Sequence, residues 1–218
     1  MPLATENDNK KLKKLKLTFW LSLGLIILIG LVIDHINYTR EKDAYRSQEL
    51  AKISTYRAEL ESILVSNIQL VRGLAVAVAA EPNLNQARFS QIATPLFETS
   101  SELRNIGGAP DMVIKMTYPM EGNEKAIGLN FLKNKAQRSD AIKARDENKI
   151  IMAGPLELVQ GGQALIARVP VFTQPNNQFW GLLSVVLDIN KVYQNAGLTS
   201  LSNEYKLSLQ GRNGKGLV

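Results

Sequence analysis

The chain reads as an α+β protein: an N-terminal transmembrane helix and a long stalk helix, followed by a five-stranded antiparallel sheet. Three observations carry this. Leu17 to Ile33 is a run of 17 residues without a charge. Residues 34–80 contain no Pro and a single Gly, Gly73, with apolar residues at helical spacing. Beyond Gly107-Gly108 the chain breaks into short apolar runs separated by Gly, Pro and Asn turns.

At about 1.5 Å per residue the apolar run spans roughly 25 Å, the short end of a membrane-crossing helix. Trp20 suits an interfacial position. Lys10, Lys11, Lys13, Lys14 and Lys16 precede the run, so its N-terminal side is expected in the cytoplasm and everything from Asp34 onward outside. A cleaved signal peptide is the rival reading, but Asp34-His35-Ile36-Asn37-Tyr38 offers no small-residue cleavage site. A pilin-type start lacks its Gly and acid, with Lys16 before Leu17 and Leu21 at the fifth position.

In the stalk, Leu50, Ile53, Arg57, Leu60, Leu64, Asn67, Val71, Leu74 and Val78 recur at 3-4 spacing. This seam serves either packing against the chain's own domain or a parallel dimer. Ile63, Ile68, Leu70, Ala75 and Ala77 widen the apolar face toward its end. The first half is therefore expected to be a dimer stalk, and the second half to pack on the sheet as well. Glu81-Pro82 ends the helix. Ala87 to about Leu103 is helical by pattern, interrupted by Pro95.

The strands follow. Met112–Tyr118 and Ala126–Phe131 flank the polar turn Glu121-Gly122-Asn123-Glu124 as a hairpin. Ser139–Asn148 is a short helix and Lys149–Ala153 a strand ended by Gly154-Pro155. Leu156–Val159 and Ala164–Phe172 form a hairpin about Gly161-Gly162, and Phe179–Asp188 closes the sheet. Helix, β, β, α, β, β, β is the order of a PAS-like extracellular sensor.

The formal charge of +6 is uneven: the five N-terminal lysines leave 21 basic against 18 acidic residues from position 17 onward. No basic stripe with interleaved aromatics follows, so nucleic acid is not a partner. There is no Cys, and the single His, His35, has no companions; no metal site or thiol chemistry is expected. No nucleophile elbow, P-loop, zincin or dinucleotide motif is present, and no catalytic residue or cofactor is assigned.

Residues that could face a cavity are the remaining candidates. Arg168 lies in the apolar strand Ile166-Ala167-Arg168-Val169, where a buried guanidinium needs a partner. It is either outward-facing, an anchor for an anionic ligand, or paired internally with an acid such as Glu157. By strand alternation it shares a face with Ile166, Pro170 and Phe172. Tyr118 is a core-rim aromatic or a ligand contact, and Met116 and Leu129 are candidates for a pocket wall.

Several stretches in order resemble the CHASE domain, the extracytoplasmic sensor of bacterial diguanylate cyclases and histidine kinases and, distantly, of plant cytokinin receptors. They are Leu103-Arg104-Asn105-Ile106-Gly107, Ala109-Pro110-Asp111-Met112-Val113-Ile114, Tyr118-Pro119-Met120-Glu121-Gly122-Asn123-Glu124 and Ala126-Ile127-Gly128-Leu129. Gly154 to Gly162, Ala167 to Phe172 and Trp180-Gly181 continue the series. The resemblance covers about Glu59 to Leu198 and implies a PAS-like fold, a long N-terminal helix and a dimer. Met116-Thr117-Tyr118 lacks the acid that holds adenine-type ligands in the plant receptors, which argues against cytokinin.

The expected organisation is a basic cytoplasmic tail (1–16), a transmembrane helix (17–33), a stalk and dimerisation helix (34–80), a PAS-like CHASE sensor domain (81–198) and an incomplete strand and turn (199–218). The expected function is a ligand-sensing domain of a homodimeric receptor in the bacterial inner membrane, crossing it once, without enzyme activity of its own. It reads as part of a diguanylate cyclase or histidine kinase. The alternative is a single-span envelope scaffold that binds no small molecule.

Overall fold

The computed structural model describes residues 6–158, 161–210 and 216–217, with only the backbone described at 6–10, 12, 209–210 and 216–217. Val159 and Gly211-Arg212-Asn213-Gly214, a stretch whose sequence suits a turn, lie outside the described residues. The chain divides into two compact units, Met1–Thr55 and Tyr56–Val218.

Helix α1 runs from Glu6 to Ala80. Within the first unit its apolar residues face outward, with Trp20 65% and Leu31 62% exposed. Among the described residues one helix is long and apolar enough to cross a membrane, its most apolar window having a mean hydropathy of 2.3 near the N-terminus. Leu50 and Ile53 of the seam are also exposed.

The second unit is a five-stranded antiparallel sheet with helices on both faces. Its strands are β1 (Leu103–Pro110), β2 (Met116–Tyr118), β3 (Ile151–Glu157), β4 (Gln163–Thr173) and β5 (Gln178–Asp188), in spatial order β2-β1-β5-β4-β3. Alternation sends Ala167, Val169, Leu183, Val185 and Leu187 to one face, where they meet Val71, Leu74 and Val78 of α1 and Phe89 of α2 (Gln86–Thr99). This is where the second half of the seam is used: Leu60 and Leu64 also pack there, half-buried. Asn85 starts α2, its side chain accepting from Arg88 N at 2.9 Å. Pro95 lies inside α2 without ending it, and the helix stops at Thr99, short of the expected Leu103.

On the other face α3 (Arg138–Glu147) packs on β3, β4 and β5. It is closed by Asn148 in the left-handed conformation, φ 49°. Its sheet-facing residues, Ala141 and Ala144, are small and fully buried. The chain then continues into α4 (Ile189–Asn195), capped by Asp188, and α5 (Leu198–Leu201), which packs near Tyr56. A short pairing of β6 (Leu209–Gln210) with β7 (Gly216–Leu217) follows.

Two expectations are corrected. Met112–Tyr118 and Ala126–Phe131 do lie side by side, with Ile114 N donating to Leu129 O at 3.0 Å and Phe131 N to Met112 O at 2.9 Å. They do not form a regular hairpin. Gly128, at φ 86°, bends the second run, Glu124–Ala126 coils into a 3-10 turn, and one isolated bridge joins Val113 to Asn130. The strand partner of β2 is β1, which reads as an interruption because of Gly107-Gly108. Those glycines sit in a strand because bulky neighbours cover them: a Cβ on Gly108 would lie 3.1 Å from both Met116 and Phe89. Second, the pieces separated at Gly154-Pro155 are one strand, β3, whose register against β4 shifts between Ala153 and Leu156.

Candidate ligand-binding site

Arg168 is the largest fully enclosed side chain of the molecule's described residues, 2% exposed. Strand geometry puts it there. It lies on β4 directly opposite Ser184 of β5, with Ile151 of β3 on its other side, on the face covered by α3. Arg168 Nη1 donates to Ser184 Oγ, and Nη2 donates to Gln137 Oε1 at 2.5 Å. The guanidinium carbon stands 4.3 Å from the centre of the Phe131 ring, a cation–π contact. Among the described residues no carboxylate lies within ion-pairing distance. Glu157, the internal acid considered above, instead accepts from Gln163 Nε2 at 2.9 Å.

Burial pushes the Arg168 guanidinium down to about 10, against the opposing pull of the Asp140 carboxylate on the first turn of α3. An arginine stays charged near neutral pH nonetheless. Burial thus disfavours the charged form of this side chain. Neutral acceptors and an aromatic face offset this in part; a negative charge would offset it far better.

The surrounding wall is apolar: Ile114, Ala126, Phe131, Ala141 and Leu182 are buried, and Leu129 packs against them half-buried. Phe131 is placed by a tight turn. Asp111 and Met112 take φ of 53° and 66°, and Val113 N donates to Pro110 O at 3.1 Å. Two successive non-glycine residues in the left-handed region carry local strain, which concentrates at functional positions. The turn buries Met112, whose carbonyl receives Phe131 N.

Arg168 and Leu129 thus border one cluster. Met116 and Tyr118 do not join them. Both side chains belong to the opposite face, Met116 buried against Gly108 and Phe89, and Tyr118 edge-on to Phe97 with centroids 5.0 Å apart. Met116 also borders a surface groove of about 680 Å³ beside Asn85, Lys115 and Trp180. Sequence reasoning missed Gln137, Ser184 and Phe131. Ser184 was findable, being a polar residue inside the apolar run Leu182–Leu187 just as Arg168 is in its own strand.

The second unit is thus a five-stranded antiparallel sheet behind a long helix, with a charged side chain sealed on the face away from that helix. The family model of the CHASE domain matches residues 63–215. The chain belongs to the CHASE domain family. Among solved structures, this CHASE chain is similar to an extracellular ligand binding receptor from Desulfohalobium retbaense. The TM-score is 0.56 at 19% identity, over 66% of this chain but 26% of that one. It is also similar to the ligand-binding domain of the amino acid chemoreceptor PctC of Pseudomonas aeruginosa, a structure in complex with GABA. There the TM-score is 0.53 at 17% identity, over 75% of this chain and 70% of that one. These likenesses establish the PAS-like fold of the CHASE domain. A comparison with curated proteins finds no match.

Proposed function

We propose that this CHASE chain is the ligand-sensing part of a signal-transduction receptor, and that its ligand is a small molecule whose anionic group pairs with Arg168. The observation that carries this is a fully buried guanidinium held by two neutral acceptors, Ser184 and Gln137, with no carboxylate in ion-pairing distance among the described residues. A carboxylate or phosphate reaching it would form the charge-assisted pair that the described residues do not supply. Leu129 and Phe131 form part of the apolar wall for the ligand's body. Met116 and Tyr118 act from the other face, as supports of the sheet rather than as contacts in this cluster.

Leu17–Ile33 anchors the chain in the bacterial inner membrane, lysines inward, and Leu50 and Ile53 seat a homodimer stalk. A diguanylate cyclase or histidine kinase is the output the receptor drives. An active alkaline phosphatase fused after the last residue supports the topology; activity only with a cytoplasmic reporter rules it out.

The ligand reading is tested by melting the full chain in nanodiscs against a panel of small carboxylates and phosphates. At least one should raise the melting temperature of wild-type protein, and Arg168→Ala should abolish that shift. A shift that persists in Arg168→Ala removes this residue from any site.

A further inference from the structure

Gln137 is the residue before α3, at the N-cap position, yet its side chain makes no capping bond to the helix. Glutamine is a poor capping residue, and Ser, Asp or Asn would serve the helix better. The side chain instead turns inward, 5% exposed, and places Oε1 on Arg168 Nη2 at 2.5 Å. Its main chain is already secured, its N–H donating to Asn134 O at 3.1 Å and its carbonyl accepting from Ala141 N at 3.1 Å. Local structure therefore gives no reason for a glutamine here; the guanidinium does.

A carboxamide has the shape of a carboxylate and lacks its charge. From this geometry we infer that Gln137 occupies the place of the ligand's carboxylate and is displaced by it, so that the start of α3 moves when ligand binds. This rests on the anion-binding reading of Arg168. The ligand class is a monocarboxylate, because displacing Gln137 frees one position on the fork while Ser184 keeps the other. A neutral stand-in also sets the response threshold: it competes with the ligand, but more weakly than a charge would.

Full-length protein in nanodiscs, wild type, Gln137→Glu, Gln137→Ala and Arg168→Ala, is melted across titrations of acetate and butyrate, with butyramide as the uncharged control. Wild type should respond to a carboxylate and not to butyramide. Gln137→Glu supplies the charge internally: its melting temperature should rise by roughly 3–6 °C without ligand and its response should vanish. Gln137→Ala should keep the response with a half-saturating concentration lowered about tenfold, for a competitor worth about one such factor. If Gln137→Glu and Gln137→Ala titrate like wild type while Arg168→Ala does not respond, the stand-in role is wrong and the anion site stands. If no carboxylate moves any of the chains and Gln137→Glu melts with wild type, both fall.

Discussion

The two faces of the sheet are made from the same strands and differ in what they bury. Toward α1 and α2 the strands present Leu103, Ile106, Ala167, Val169, Leu183 and Leu187, an apolar layer closed by Val71, Leu74 and Phe89. Toward α3 they present Asn105, Thr117, Arg168 and Ser184, all buried. Both faces gain from excluding water, but the α3 face, which also buries Ile166, Leu182 and Val186, gives up part of that gain to keep a cation and its partners dry. The two faces are thus separated by one peptide plane, and alternation along each strand assigns every residue to one of them.

Variants on the two faces should behave oppositely, and the largest effect falls on the sheet that both share. Gly181 has φ 152°, and a Cβ there would lie 2.1 Å from Ala109 O of the neighbouring strand. Gly181→Ala should cost more than about 4 kcal/mol in urea unfolding; a mild effect would mean that β1 and β5 can part without loss. Phe89→Ala, on the apolar face, should cost about 3–5 kcal/mol while leaving any carboxylate response in place. A lost response with an intact fold would show that the faces are not separate.

On the face that buries Arg168 the sign reverses. Arg168→Met alone should leave unliganded stability within about 2 kcal/mol, since relief of the buried charge is offset by stranding Gln137 and Ser184. Adding Gln137→Leu and Ser184→Ala should then stabilise by about 1–4 kcal/mol, read as a higher urea midpoint at unchanged slope. A triple variant weaker than wild type would mean that this network holds the fold together.

The smallest effect concerns Glu102, at the rim of the apolar face. Burial raises its carboxyl, but hydrogen bonds from Asn195, Ser100 and Asn67 outweigh this and hold it below the usual range. Such a group stabilises the fold at neutral pH, and its share fades as pH falls from about 4.5 through the depressed value. Glu102→Gln should flatten the acid limb of the stability profile by about 1 kcal/mol or less. An unchanged limb would assign the acid sensitivity elsewhere.

The apolar face was legible in the sequence because it is periodic. Val71, Leu74 and Val78 announce their helix face, and the Leu and Val alternation in β4 and β5 announces theirs. Arg168 was legible as an anomaly in such a pattern. Its partners were not. Gln137 and Phe131 come from the irregular stretch between β2 and α3, whose path follows from Gly128, the Asp111-Met112 turn and bonds to Ile114 and Met112, none of which has a period. β1 was hidden for a related reason: Gly107 and Gly108 look like a break until Ile114, Met116 and Phe89 are seen to fill the space above them. The seam of α1 showed an apolar face, and its widening toward the C-terminal end gave its partner as well: from Leu60 onward it packs on the chain's own sheet.

The closure over Arg168 bears on time as well as on affinity. A solute cannot meet a side chain that is 2% exposed until the cover has opened. Capture at the proposed site would then be limited by how often α3 and the Phe131 segment part, so the association rate constant should fall below that of a permanently open site by about the fraction of time the cover is open. Release must wait for the same event. If Arg168 takes the ligand as proposed, the receptor would average its surroundings over its own opening time, ignoring brief pulses and reporting sustained supply.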